Sequence, residues 1–264
     1  MKNGIKWLQT APLISCIWLL TACTMEDIPV KPDDSVSDNV RLTQIYTEVS
    51  YPSTGMLVTS TTVDLVWENG LLKNQNSTTY SPLTGKTTDL GENTYVYNGN
   101  DCIEKHYISP NQNVNEYFTY ANGRMTSAVK MSGDDITDRV TIHSYTDDGH
   151  VKTMTIENIK NGKTTDYEFT WENGDMTSYR MHPVEPAGED VIISATYDNY
   201  PNIHTGKPLA DYIFDPGEMA IRGSKHNCLS DYDEFIYDNG RLVIKKKDVL
   251  VAYHTFSDGT TGIK

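Results

Sequence analysis

The chain has 264 residues, 38% of them hydrophobic, and a formal charge of −14 from 22 Lys and Arg against 36 Asp and Glu. That balance excludes nucleic acid and adsorption to anionic lipid, which both need Lys/Arg patches, and favours solubility and the binding of cations or neutral glycans. The length suits one large all-β domain, since such domains routinely run to about 250 residues.

Residues 1–22 read as a signal peptide. Lys2 and Lys6 give a positive n-region, and the apolar run 11–22 is broken only by Pro12, Ser15 and Thr21. The run is too short to span a bilayer, which takes about 20 apolar residues. It closes on Leu20-Thr21-Ala22-Cys23, which resembles the bacterial lipobox, whose Cys is lipidated and becomes the first residue after cleavage. The resemblance implies a Gram-negative lipoprotein anchored through Cys23, with two or more acyl chains giving stable attachment. Thr24 follows where an Asp would hold the protein at the inner membrane, so the expected address is the outer membrane, on its periplasmic or cell-surface face. Glu26-Asp27 resembles the acidic export signals of some surface lipoproteins and equally suits a solvated linker. Loss of residues 1–22 removes two lysines and brings the charge to −16. Once Cys16 is cleaved off and Cys23 acylated, Cys102 and Cys228 remain; they are free to pair in an oxidising compartment or to stay buried thiols.

Residues 23–40 comprise the lipidated Cys and a tether rich in Pro, Asp and Ser, expected to be disordered. The tether also carries Asp34-Ser35-Val36, which resembles an O-glycosylation site. From Arg41 the chain becomes a series of short alternating runs, and residues 41–264 read as a single β-meander domain. Trp67-Glu68-Asn69-Gly70 ends one run and returns as Trp171-Glu172-Asn173-Gly174. Looser copies stand at Tyr97-Asn98-Gly99, Tyr120-Ala121-Asn122-Gly123, Tyr145 to Gly149, Tyr237-Asp238-Asn239-Gly240 and Phe256-Ser257-Asp258-Gly259. Asn-Gly and Asp-Gly between alternating runs mark hairpins, because the favoured two-residue turns need φ > 0. In the return strands, Met125, Ser127, Val129 and Met131 are expected to share a face, as are Leu242 and Ile244.

The aromatics before the turns recur about every 25 residues, apart from a gap of 40 between Tyr197 and Tyr237. The predicted fold is all-β: an antiparallel up-and-down meander of about 14–16 strands, curling into a barrel-like sheet to manage its edges. In the long gap, Pro208 suits a first helical turn and Leu209, Tyr212 and Ile213 share a side, so a short helical insertion is expected near 207–221, stopped by Pro216-Gly217.

The Tyr/Trp-x-Asn-Gly phrases resemble the tyrosine-aspartate repeats of large bacterial shell proteins. Tyr197-Asp198-Asn199 with Asn202, then Ser224-Lys225-His226-Asn227, together with the lipobox and the hairpins, resemble a lipoprotein domain family of unknown function described as porin-like. Here Tyr200-Pro201-Asn202 replaces that family's usual Asn-Pro order. The resemblance implies a porin-like fold and assigns no catalytic residue. A membrane-spanning barrel is disfavoured, since the lipobox already supplies an anchor and the apolar face is interrupted by Ser127, Thr153 and Thr155.

The histidines form no metal-binding pair, and no nucleophile elbow or phosphate loop is present, so neither a catalytic set nor a metal or cofactor is predicted. Asp147-Asp148-Gly149-His150 and Asp231-Tyr232-Asp233-Glu234 read better as a hairpin tip and a solvated strand start than as calcium loops. Tyr200 and Tyr212, in the irregular segment, are the candidates for a ligand platform, because loops on rigid scaffolds carry function. The expected function is that of a lipid-anchored, non-enzymatic binding or structural module at the outer membrane, touching glycan or another envelope protein. The alternative is a glycan-acting hydrolase built on two of the scattered carboxylates.

Overall fold

The computed structural model describes residues 40–229 and 232–260. The expectations for the signal peptide, for Cys23 and for the tether up to residue 39 lie outside the described residues. The chain opens with strands β1 (Leu42–Ser50), β2 (Leu57–Glu68), β3 (Leu71–Ser81), β4 (Lys86–Asn98), β5 (Asp101–Ser109) and β6 (Gln112–Ala121). It continues with β7 (Arg124–Ser132), β8 (Asp135–Tyr145), β9 (Val151–Asn158), β10 (Lys163–Glu172), β11 (Asp175–Glu185) and β12 (Val191–Ser194). A two-stranded ribbon, β13 (Tyr197–Pro201) and β14 (His226–Cys228), encloses a 3₁₀ turn at Leu209–Asp211 and the helix α1 (Pro216–Arg222). Strands β15 (Glu234–Asp238), β16 (Arg241–Lys247) and β17 (Leu250–Phe256) end the fold.

Fifteen strands form one antiparallel meander, β12 through β1 in reverse order and then β17, β16 and β15. This is the predicted all-β architecture, with the helical insertion where it was expected. One detail differs: Pro216 begins α1 instead of stopping a helix. Asp215 is its N-cap, accepting from Gly217 N at 3.1 Å, and a proline in the first turn loses no helical hydrogen bond. β1 lies between β2 and β17, so the first strand sits inside the sheet and the edges fall at β12 and β15.

The turns explain the phrases. Asn69, Asn122, Asn173 and Asn239 have φ near +50°, each followed by a glycine with positive φ, as a type I′ hairpin requires. Just beyond each turn the ladder slips by one residue: Trp67 pairs with Leu72 but Val66 with Asn74, and Tyr120 pairs with Met125 but Thr119 with Ser127. This bulge reverses the faces read from alternation. Met125 points inward, and Ser127 lies on the opposite face; Leu242 pairs with Tyr237 while Ile244 pairs with Ile236, so those two also part.

Six of the marker aromatics reach back to a backbone carbonyl of the preceding hairpin. Trp67 Nε1 donates to Leu42 O, Tyr97 Oη to Leu72 O, and Trp171 Nε1 to Val151 O, all at 2.8 Å. Tyr120 donates to Cys102 O at 2.9 Å, Tyr145 to Met125 O at 2.6 Å and Tyr197 to Met176 O at 2.7 Å. The accepting residues are all buried and, Leu42 apart, are the ladder partners of the previous aromatic; Leu42 pairs with Phe256. Ladder pairs and side-chain bonds therefore alternate in a belt that runs from Phe256 to Tyr197.

The two faces of the sheet differ in chemistry. The inner face carries Leu65, Tyr95, Phe118, Val140, Met154, Phe169 and Met176, packed with Ile213 and Met219 of the insertion. The outer face carries cross-strand polar pairs: Gln44 with Asp64 at 2.7 Å, His106 with Asn115 at 2.7 Å, His143 with Thr155 at 2.7 Å and Arg180 with Glu168 at 2.7 Å. Val66, Val96 and Tyr117 stand among them as exposed apolar residues. A lipid-facing wall has the reverse pattern, and each cation at mid-bilayer depth on such a wall costs about 2–4 kcal/mol. This barrel-like sheet is not of the membrane-spanning kind. Among the described residues no helix is long and apolar enough to cross a membrane.

Candidate functional site

The insertion brings its charged side chains against the inner wall. Asp211, at the end of the 3₁₀ turn, has a side chain only 3% exposed. Arg222 Nη1 lies 2.6 Å from its carboxylate, Lys105 Nζ 3.6 Å and Lys207 Nζ 3.7 Å. Tyr95 Oη donates to it at 2.5 Å and Gln75 Nε2 at 3.1 Å. Lys105 also lies 3.4 Å from Glu116, which meets Lys130 at 3.3 Å, so one lysine links two inner carboxylates. Strands β3, β4, β5, β6 and β7 thereby hold the insertion at one point.

Electrostatics fix the protonation states. Burial pushes the Asp211 carboxyl up, but Lys207, Lys105 and Arg222 outweigh it and hold it well below the usual carboxylate range. Burial lowers Lys207 to about 8 against the attraction of Asp211. Tyr95 is raised well above the ordinary phenol value by burial and by Asp211, so it stays a donor. A general acid needs a carboxyl pushed toward neutral pH; Asp211 is pushed the other way. The arrangement ties the insertion to the wall.

A second group of basic side chains lies beside the first. His204 and Lys207 come from the turn that opens the insertion, and Lys245 and His254 from the inner face of β16 and β17. Burial lowers both histidines, with Lys207 the next cause for His204 and Lys245 for His254; His254 falls to about 3. Both rings are therefore neutral at pH 7.

The seam between the sheet edges is polar. Asp198 on β13 accepts from Tyr237 Oη on β15 and from Asn227 Nδ2 at 3.1 Å. Asn227 Oδ1 in turn accepts from Ile203 N at 3.0 Å, and Asn202 Nδ2 donates to the carbonyls of Ile221 and Ser224 at 2.8 Å. The Asp198, Asn202 and Ser224 to Asn227 phrases thus knit the ribbon and seam.

The platform tyrosines do different things. Tyr200 stacks on Tyr237 with ring centroids 3.9 Å apart. Tyr212 lines a cavity of about 110 Å³ with Leu209, Met219, His150 and Trp171, whose rings stack at 4.2 Å. Tyr200 and Tyr212 are not brought together by any ring contact among the described residues. Cys102 and Cys228 are both buried thiols not bridged to each other: Cys102 sits on β5 in the wall, Cys228 on the ribbon. Burial raises the Cys102 thiol to about 12, so it packs as an apolar group. His150 lies 3.7 Å from Asp148 at its hairpin tip, and no group of three or more metal-ligating residues occurs among the described residues. Alternation did not flag Lys105, Glu116, Lys207, Asp211 or Lys245; the covered inner face is what distinguishes them.

No family model matches the chain, and no curated protein does. Among solved structures it is similar to a porin-like protein from Bacteroides uniformis, with a TM-score of 0.54 at 12% identity, over 82% of this chain and 96% of that one. At that identity the likeness is one of fold.

Proposed function

We propose that this chain is a non-enzymatic, lipid-anchored module of the outer-membrane envelope, held by Cys23 and presenting its barrel to glycan or to another envelope protein on the periplasmic or cell-surface face. The observation that carries the reading is the sidedness of the sheet. The outer wall is charged and made for water, while the inner wall is filled by an insertion whose ions are paired. Such a domain needs an anchor outside the sheet, and the lipobox is suited to supply one. The fold shared with a porin-like protein supports an envelope setting. The aromatic cavity at Tyr212, His150 and Trp171 and the Tyr200–Tyr237 stack supply the surfaces on which sugar rings stack.

Two measurements test the reading. Cys23→Ala should move the protein from the membrane fraction to the soluble fraction, and continued anchoring would overturn the address. A glycan array probed with the full chain should give hits that weaken in Trp171→Ala and Tyr200→Ala. Silence across the array would remove glycan and leave a protein partner.

A further inference from the structure

The interior of this acidic protein holds more cations than its inner carboxylates neutralise. Lys105, Lys130, Lys207 and Arg222 share Asp211, Glu116 and Glu218. Lys245 stands outside that set: it is only 5% exposed, no carboxylate lies within 4 Å of its Nζ among the described residues, and the more distant attraction of Asp198 and Glu218 does not offset its burial. The ring of Tyr232 lies 5.0 Å from its Nζ. A buried ammonium without a counter-charge costs several kcal/mol, so natural cores pair such groups.

Three further observations lead to the same space. Lys245 pairs with Ala252, which places its side chain on the inner face beside His254, two residues along β17. His204 enters from the opposing 202–207 turn, is 7% exposed, and has a buried Nδ1 with no hydrogen-bond partner. Lys207, three residues on, has a side chain 2% exposed, and its one ion pair among the described residues is with Asp211, at 3.7 Å, which is shared with two other cations. His254 Nδ1 is engaged by Val243 O at 3.3 Å, which leaves His204 as the histidine with a free ring nitrogen. The turn lies against Arg41, since a Cβ on Gly206 would meet the Arg41 guanidinium at 3.2 Å. Arg41 lies over the Trp67 ring and Arg241 over the Phe256 ring.

We propose that the 202–207 turn and the β16–β17 wall together bind a small oxyanion, a carboxylate, sulfate or phosphate group, with Lys245 and Lys207 as its counter-charges and His204 Nδ1 as a hydrogen-bond donor. The inference deepens the binding-module reading by naming an acidic ligand class. The group belongs either to a free ion or to an acidic glycan, and the two sources are separable.

The full chain, purified in detergent, would be titrated by calorimetry with sodium sulfate, sodium phosphate, glucuronate and a sulfated disaccharide, each against sodium chloride at matched ionic strength. Saturable binding of at least one is expected, with a rise of several degrees in Tm. Tighter binding of the sulfated disaccharide or glucuronate than of the inorganic ions assigns the site to glycan; the reverse assigns it to the free ion, and both uphold the site. Lys245→Met should weaken binding at least tenfold yet raise the anion-free Tm, while Lys245→Arg keeps both values near wild type. His204→Phe, which removes the donor and keeps the volume, should weaken binding as well and serves where Lys245→Met fails to fold. Absence of saturable binding by all four probes, or equal affinity in wild type, Lys245→Met and His204→Phe, would overturn the site. That failure would leave the anchoring result at Cys23 untouched.

Discussion

The hydroxyl of Tyr237 donates to the carboxylate of Asp198 across the gap where the two edges of the sheet face each other. No backbone ladder joins β12 to β15, so side chains of the β13–β14 ribbon do the joining there. Asp198→Ala removes the acceptor shared by Tyr237 Oη, Tyr200 N, and the backbone N and Nδ2 of Asn227. The expected loss is about 2–4 kcal/mol in urea unfolding, against about 1 kcal/mol for Tyr237→Phe, which leaves Asn227 on the carboxylate. Equal losses would show that Asn227 contributes nothing at the seam.

Asp211 is the single carboxylate shared by Lys207, Lys105 and Arg222. Asp211→Asn keeps the shape, leaves Lys105 to Glu116 and Arg222 to Glu218, and strands Lys207 in the interior, a change that costs about 3–5 kcal/mol. The insertion should then be the first segment cut by a protease. Protection of residues 202–228 equal to wild type would sink the idea that this network docks the insertion.

The buried histidines set an acid limit. A base whose folded pKa is depressed is neutral in the fold and takes up a proton on unfolding, so stability falls as pH drops below the unfolded value near 6.5. For His254 the fall continues down to about 3. The depression of Asp211 acts in the same direction, its contribution being lost below the ordinary carboxylate range. Stability measured by denaturant should therefore decline steadily from pH 7 to pH 4, by on the order of a few kcal/mol. His254→Phe should flatten that slope; an unchanged slope would exclude His254 as its source.

Glycines differ in what they permit. Gly91, with φ of +130°, sits at a bulge where a Cβ would meet Ile108 O at 2.6 Å and the Tyr107 ring at 2.8 Å. Gly70, with φ of +77°, has open space around it. Gly91→Ala should cost well over 2 kcal/mol and Gly70→Ala about 1 kcal/mol, measured as a difference in unfolding midpoint.

The hairpins were legible because their turns demand particular residues. Asn-Gly at 69–70 and 173–174 announces the reversal, and the aromatic before each turn marks the inward face. What alternation could not carry was the bulge after the turn, which leaves no residue signature and inverts the faces of Met125 and Ser127. The charged interior was hidden for another reason. Lys245 opens a run of three lysines, yet it is buried, because burial is decided by an insertion some 40 residues upstream. In the structure Ala252, His254 and Phe256 alternate with partly exposed neighbours, which puts His254 on the covered side. Pro216 was misleading because a proline that cannot continue one helix is suited to begin the next.

The belt and the position of β1 have a mechanical consequence. A chain tethered at its N-terminus transmits any pull through Leu42, which pairs with Phe256 on one side and accepts from Trp67 on the other. Because β1 has neighbours on both flanks, the load shears two ladders at once instead of peeling one strand from an edge. The belt of aromatic bonds would then spread the tension sideways through successive hairpins, so a pull from the N-terminal side would meet one of the points least easily unravelled.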